Sequence, residues 1–190
     1  VAPTASCQPA TVFLNANGVA QVTVNDIDNG SSDACGIDNM TVNPSQFDCS
    51  QVGTPQTVVL TVTDVYGNTS TCTTTVNIED NVSPVANCKN VTLALDNNGE
   101  ATISVADVNN GSTDNCGIDT MWLSKTTFDC TDGGTSTVTL YVKDASGNTS
   151  TCTSTVTIED NEDPSILCQN ITVALNSNGV ATIDYTDIDF

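Results

Sequence analysis

The chain has 190 residues, with 23 acids set against three lysines (Lys89, Lys125 and Lys143), no arginine and no histidine, for a formal net charge of −20. Nucleic acid is excluded as a partner, because three lysines among 23 acids cannot neutralise a phosphate backbone. Disorder is excluded as well, since 38% of the residues are apolar and they fall in alternating runs.

From the N-terminus, the landmarks are Cys7, Asn17-Gly18, Asp33-Ala-Cys-Gly-Ile-Asp38 and Phe47-Asp-Cys49. Gly67-Asn-Thr-Ser-Thr-Cys-Thr73 and an acidic peptide, Ile78 to Pro84, follow. From Cys88 the text begins again. Cys7, Cys35, Cys49 and Cys72 recur as Cys88, Cys116, Cys130 and Cys152, at shifts of 81, 81, 81 and 80 residues. Cys168 opens a third copy, 80 residues beyond Cys88. A period this long means one small domain per repeat, in tandem. The expected domains are 1–80, 81–160 and the first strands of a third at 161–190. The chain starts inside a strand-like segment and stops within a repeat, so a longer array is expected. No apolar run is long enough to span a membrane as a helix.

Within a copy, abundant Thr, Val, Ser and Asn favour strands. In the second copy Val91, Leu93 and Leu95 alternate, Asp96-Asn-Asn-Gly99 turns the chain, and Ala101, Ile103 and Val105 resume the alternation. Asn-Gly between alternating apolar runs predicts a hairpin. Met121 and Leu123, then Phe128, then Val138, Leu140 and Val142 continue the pattern, and Cys152, Val156 and Ile158 close it. About seven short strands in 80 residues predict an all-β, immunoglobulin-like or fibronectin-like sandwich.

A domain of this size needs reinforcement beyond its core. Four cysteines per copy, without Cys-x-x-Cys spacing or histidine, predict disulfides and an oxidising, extracellular setting. Four cysteines allow three pairings. Adjacent first and last strands favour Cys7–Cys72 and Cys88–Cys152, which leaves Cys35–Cys49 and Cys116–Cys130 to close short loops.

Two motifs carry a family likeness. One is Pro-x-x-x-Cys before an Ile/Val-rich strand (Pro84 to Leu95, Pro164 to Leu175); the other is Asp-x-x-Gly-Asn-x-x-x-Cys (Asp64 to Cys72, Asp144 to Cys152). Both resemble the hyalin repeat (HYR) domain, over the whole chain. The added Asp-x-Cys-Gly-Ile…Phe-Asp-Cys pair is similar to the version in giant surface adhesins of Bacteroidetes, including those of gliding motility. The resemblance implies a stalk or adhesive fibre exported to the cell surface.

Each copy ends in a similar acidic peptide, Ile78-Glu-Asp-Asn81 and Ile158-Glu-Asp-Asn161, each followed by a proline three residues on. In such sandwiches the loops bearing Asp107, Asp114, Asp144 and Asn148 share a pole with the entering linker. Converging carboxylates require a cation, and Ca²⁺ suits hard oxygen donors. The expected ligands are Glu79, Asp80, Asn81, Asp107 and Asp144 at the first junction. At the second they are Glu159, Asp160, Asn161, Asp163 and Asp187, with Asp189 beside them. The competing reading has these acids only solvating the linker and shaping turns with Gly67 and Gly147.

Trp122, Tyr141 and Lys143 stand where the first copy has Thr41, Thr61 and Thr63. On neighbouring strands and facing away from the core, they form a candidate surface for a glycan or another fibre. Catalysis is not expected: histidine and arginine are absent, and a carboxylate pair of glycosidase type has no evident cleft. The function expected is a structural spacer whose partners are its own neighbouring repeats, and the alternative is a recognition module using the aromatic face.

Overall fold

A computed structural model describes residues 1–164 and 170–188, the side chains at 187 and 188 excepted. The first repeat runs β1 (Ala10–Phe13), β2 (Val19–Gln21), α1 (Val24–Ile27), β3 (Ile37–Asn43), β4 (Gln46–Asp48), β5 (Gln56–Asp64) and β6 (Thr69–Glu79). The second repeats it with β7 (Val91–Ala94), β8 (Glu100–Thr102), α2 (Val105–Val108), β9 (Ile118–Leu123), β10 (Thr127–Asp129), β11 (Gly134–Asp144) and β12 (Thr149–Glu159). A single turn, α3 (Tyr185–Ile188), follows.

Each repeat is an all-β, immunoglobulin-like sandwich. Four strands in the order β1-β6-β5-β3 face a two-stranded sheet, β2-β4, and the second repeat matches this as β7-β12-β11-β9 over β8-β10. Alternation builds the layers. Val58, Leu60 and Val62 of β5 are fully buried while their neighbours are partly exposed, and Val138, Leu140 and Val142 do the same in β11. Each repeat has its own core, capped from the side by Ile27 of α1 or Val108 of α2. Both one-turn helices are held by an acid reaching back to the preceding residue. The Asp26 carboxylate accepts from the backbone and hydroxyl of Thr23, both at 2.7 Å, and Asp107 accepts likewise from Ser104 at 2.8 and 2.7 Å.

Three local expectations are corrected. There are six strands per repeat, because Val105 begins α2 and does not extend a strand. The Asn-Gly turns do not close hairpins: β1 lies parallel to β6, and β2 pairs antiparallel with β4. The turn is tight, with the Asn15 side chain accepting from the backbone of Asn17 and Val19 at 2.9 and 3.2 Å. It nevertheless carries the chain from one sheet to the other over the edge of the core. Leu14 and Val22, buried on either side, set that path.

The third correction concerns cysteines. Cys7–Cys72 and Cys88–Cys152 are formed within their repeats. Cys49, however, bonds Cys116 of the next repeat, with Cα atoms 5.4 Å apart, and Cys35 and Cys130 are free and exposed. Strand direction explains this. Cys35 precedes β3, whose Ile37 pairs with Asp64 near the start of β6. Cys49 follows β4, beside the 15–18 turn, where Phe13 pairs with Glu79 at the end of β6. The two cysteines occupy opposite poles, separated by most of an 11-residue strand, or about 33 Å. A disulfide needs Cα atoms within about 7 Å, so Cys35–Cys49 and Cys116–Cys130 are out of reach.

Leu140, fully buried at the centre of the second core, tests this architecture. Leu140→Ala should destabilise the second sandwich by about 2–5 kcal/mol, read as a lowered urea midpoint. Thr139→Ala, on the outward face, should move it little.

Candidate metal centre

The seam between the repeats gathers three acids from three segments. Asp80 follows β6 and is 4% exposed; Asp144 ends β11 and is 1% exposed; Asp114 sits, partly buried, in the loop before β9. One carboxylate oxygen from each lies within 4.8 Å of the other two. Unit charges at that separation repel by about 3 kcal/mol per pair at an effective dielectric of about 20. No ion pair relieves them: among the described residues, the one salt bridge joins Lys125 to Asp132.

Two asparagines organise the site. Asn148 donates its amide to the Asp144 carboxylate at 2.8 Å and to the carbonyls of Asp80 and Val82 at 2.9 and 3.3 Å. It thereby ties the incoming linker to the second repeat. Asn115 donates to Asp80 Oδ1 at 3.1 Å and to the Asn15 carbonyl at 3.2 Å, bridging the first repeat's turn, the linker and the second repeat's loop. Asp80 Oδ1 also accepts from the Val82 backbone at 3.1 Å, and Cys116 donates its backbone N–H to Asp114 Oδ2 at 2.8 Å.

The remaining oxygens are the informative ones. Asp80 Oδ2, Asp114 Oδ1 and Asn115 Oδ1 are buried and have no hydrogen-bond donor. Unmatched buried acceptors are costly, and three at one seam make a set of hard oxygen donors suited to a divalent cation such as Ca²⁺. The residues present fit such an ion.

Of the acids expected at the first junction, the structure brings together Asp80 and Asp144. Glu79 and Asn81 flank them and point to solvent. Asp107 is corrected: its carboxylate is engaged by Ser104 as the cap of α2. Its place is taken by Asp114. Asn115 was not anticipated, and its signal was present, since the first copy has Ala34 there. At the second junction Glu159, Asp160, Asn161 and Asp163 are exposed. Asp160 repeats the local turn of Asp80, accepting from the Glu162 backbone at 3.1 Å. Among the described residues no second group of three acids converges. Cys168, Asp189 and the Asp187 side chain lie outside the described residues.

With this geometry in view, the chain is similar to several solved structures, each at low identity. No family model matches it. No curated protein matches it either. Among solved structures, extracellular cadherin domains 1–4 of protocadherin gamma B7 are similar at 13% identity and a TM-score of 0.39, over 90% of this chain and 54% of that one. Drosophila N-cadherin EC1-4 is similar at 11% identity and 0.41, over 84% and 50%. Human protocadherin-24 EC1-2 is similar at 14% identity and 0.42, over 85% and 100%. The chain thus spans about half the length of the first two.

Away from the seam, Trp122 and Tyr141 pair across β9 and β11, with ring centroids 5.1 Å apart and planes 3° from parallel. Trp122 remains 43% exposed. Lys143 is half-buried and lies opposite Thr120 on the same strand pair.

At the first repeat's other pole, away from the seam, Asp64 is the counterpart of Asp144. The Asn68 amide, donating at 2.7 Å, and the backbone of Tyr66 and Asn68 hold its carboxyl below the ordinary 3.8. A depressed carboxyl contributes stability that is fully present above the unfolded-state value and is lost as pH falls through the folded one. Stability measured in urea should therefore drop below about pH 4, and Asn68→Ala should shift that acid transition to higher pH.

Proposed function

We propose that the chain is a spacer from a long extracellular adhesin fibre, built of sandwiches at 1–80 and 81–160 with a third opening at 161–190. Its repeats are locked end to end by Ca²⁺ at the acidic seams. The observation that carries this reading is the convergence of Asp80, Asp114 and Asp144, with unpartnered buried oxygens, across the boundary between two repeats. One ligand comes from the linker and two come from the second sandwich, so a bound ion removes freedom at the hinge. Asn148 already holds the linker's carbonyls against the second repeat, and Pro84, farther along the linker, is buried. Strands of 11 residues give each module about 35 Å of length, so reach grows in proportion to repeat number.

The disulfides support an extracellular setting. The likeness to hyalin-repeat modules supports placement in a Bacteroidetes-type surface adhesin, with gliding motility as one use. A mechanical role also accounts for the recurrence of similar acids in successive copies, where a catalytic centre would need a distinct site. The second junction, through Glu159, Asp160, Asn161, Asp163 and Asp187, is assigned the same role. A second reading rests on the stacked Trp122–Tyr141 pair, an exposed aromatic platform of the kind that contacts sugars or a neighbouring fibre.

Calorimetric titration of metal-stripped protein should show Ca²⁺ uptake, and saturating Ca²⁺ should raise the melting temperature. Asp114→Asn should weaken uptake by about tenfold or more, because it removes a charged ligand. Glu100→Gln, away from the seam, should leave it unchanged. Unaltered melting in chelator, with no heat of binding, would sink the calcium reading.

For the aromatic face, the spacer role predicts that the chain binds neither glycan arrays nor cells. Binding that disappears in the Trp122→Thr/Tyr141→Thr double variant would favour the recognition module.

A further inference from the structure

Each repeat carries one cysteine at each pole outside its internal disulfide. Cys35 and Cys116 lie in the same Asp-x-Cys-Gly loop: each donates its backbone N–H at 2.8 Å to the carboxylate two residues before it, Asp33 or Asp114. Both loops turn on a glycine at positive φ, Gly36 at 108° and Gly117 at 99°. Cys49 and Cys130, at the other pole, also share one environment. Their sulfurs lie 3.9 Å and 3.7 Å from the carbonyls of Gly18 and Gly99 respectively. A Cβ on either glycine would meet sulfur, at 2.9 Å from Cys49 and 2.6 Å from Cys130. In the first repeat the sulfur so placed is bonded to the next repeat's loop at Cys116. In the second, the same sulfur on the same cradle is exposed and free.

We infer that Cys35 and Cys130 are the two open positions of a disulfide ladder that staples every repeat to the next. Cys130 takes the loop cysteine of the copy that follows, as Cys49 takes Cys116. Cys35 is taken by the turn-side cysteine of a copy that precedes. The occupant of each pole is therefore another copy of this repeat, presenting the complementary cysteine. To close each rung, two thiols release two protons and two electrons to a small-molecule disulfide. The small disulfide leaves as two thiols and one protein S–S bond forms. The ladder does not depend on Ca²⁺; it fixes the same seam by a covalent route.

The test extends the full chain after Phe190 with a copy of residues 111–160, which completes the third repeat and raises the cysteine count from nine to twelve. After refolding in a glutathione redox buffer, denaturation without reduction and alkylation count the free thiols. The ladder leaves two, at Cys35 and the appended copy of Cys130. Pairing inside each repeat leaves none, and a rung that fails to form leaves four. Either of those counts overturns the inference. Peptide mapping of the unmodified chain gives a second reading that does not require the extension to fold. Cys49 linked to Cys116, with Cys35 and Cys130 both alkylated, supports the ladder. A Cys35–Cys49 or Cys116–Cys130 link overturns it.

Discussion

Asp80, Asp114 and Asp144 bring three carboxylates within 4.8 Å of one another, and the seam between the repeats is arranged around their repulsion. Two of the three are almost completely buried, where water screens charge poorly. Asn115 and Asn148 supply neutral donors to some of the oxygens and leave others without a partner. Such an arrangement suits a cation, which in the proposed reading would tie the linker to the second repeat. With like charge alone, the same contacts work against each other.

A covalent bond crosses the same seam. Cys49–Cys116 closes a span of 67 residues, and in the chain-entropy model such a crosslink contributes about 4 kcal/mol. Gly18 makes the approach feasible. It holds φ of 72°, and a Cβ there would fall 2.9 Å from both the Asn115 carbonyl and the Cys49 sulfur. The Asn17-Gly18 turn, which redirects the chain between sheets, thus also serves as the contact face for the next module. The proposed ion would act on the same hinge as this disulfide by independent physics, the first sensitive to chelation and the second to reduction.

The two sandwiches also differ on their lateral faces, away from the seam. Trp122 and Tyr141 stack on the outer face of the second, where Thr41 pairs with Thr61 in the first. Lys125 lies over the Phe128 ring at 4.9 Å from its centre and also pairs with Asp132, features for which the first repeat has no counterpart. The poles keep the cysteines and the Asp64/Asp144 turn, but Asn115 of the seam stands where the first repeat has Ala34.

Much of this was legible in the residues themselves. Period-2 alternation at Val138, Leu140 and Val142 requires a strand with one buried face, and the recurrence of four cysteines requires a repeated module. Clustered acids without cations mark the seam. What the linear pattern did not contain was the pole at which each residue ends. Asn-Gly implied a hairpin, but β1 and β2 join different sheets because each has a better partner distant in sequence. Asp107 and Asp114 are equally acidic and seven residues apart, yet one caps a helix and the other faces Asp80. Cys35 and Cys49 are only 14 residues apart along the chain, yet lie at opposite ends of the sandwich. Alternation and composition are local properties, so sequence determines them outright. The pairing of poles follows from strand direction and from the stacking of one folded module on the next, which only the tertiary structure decides.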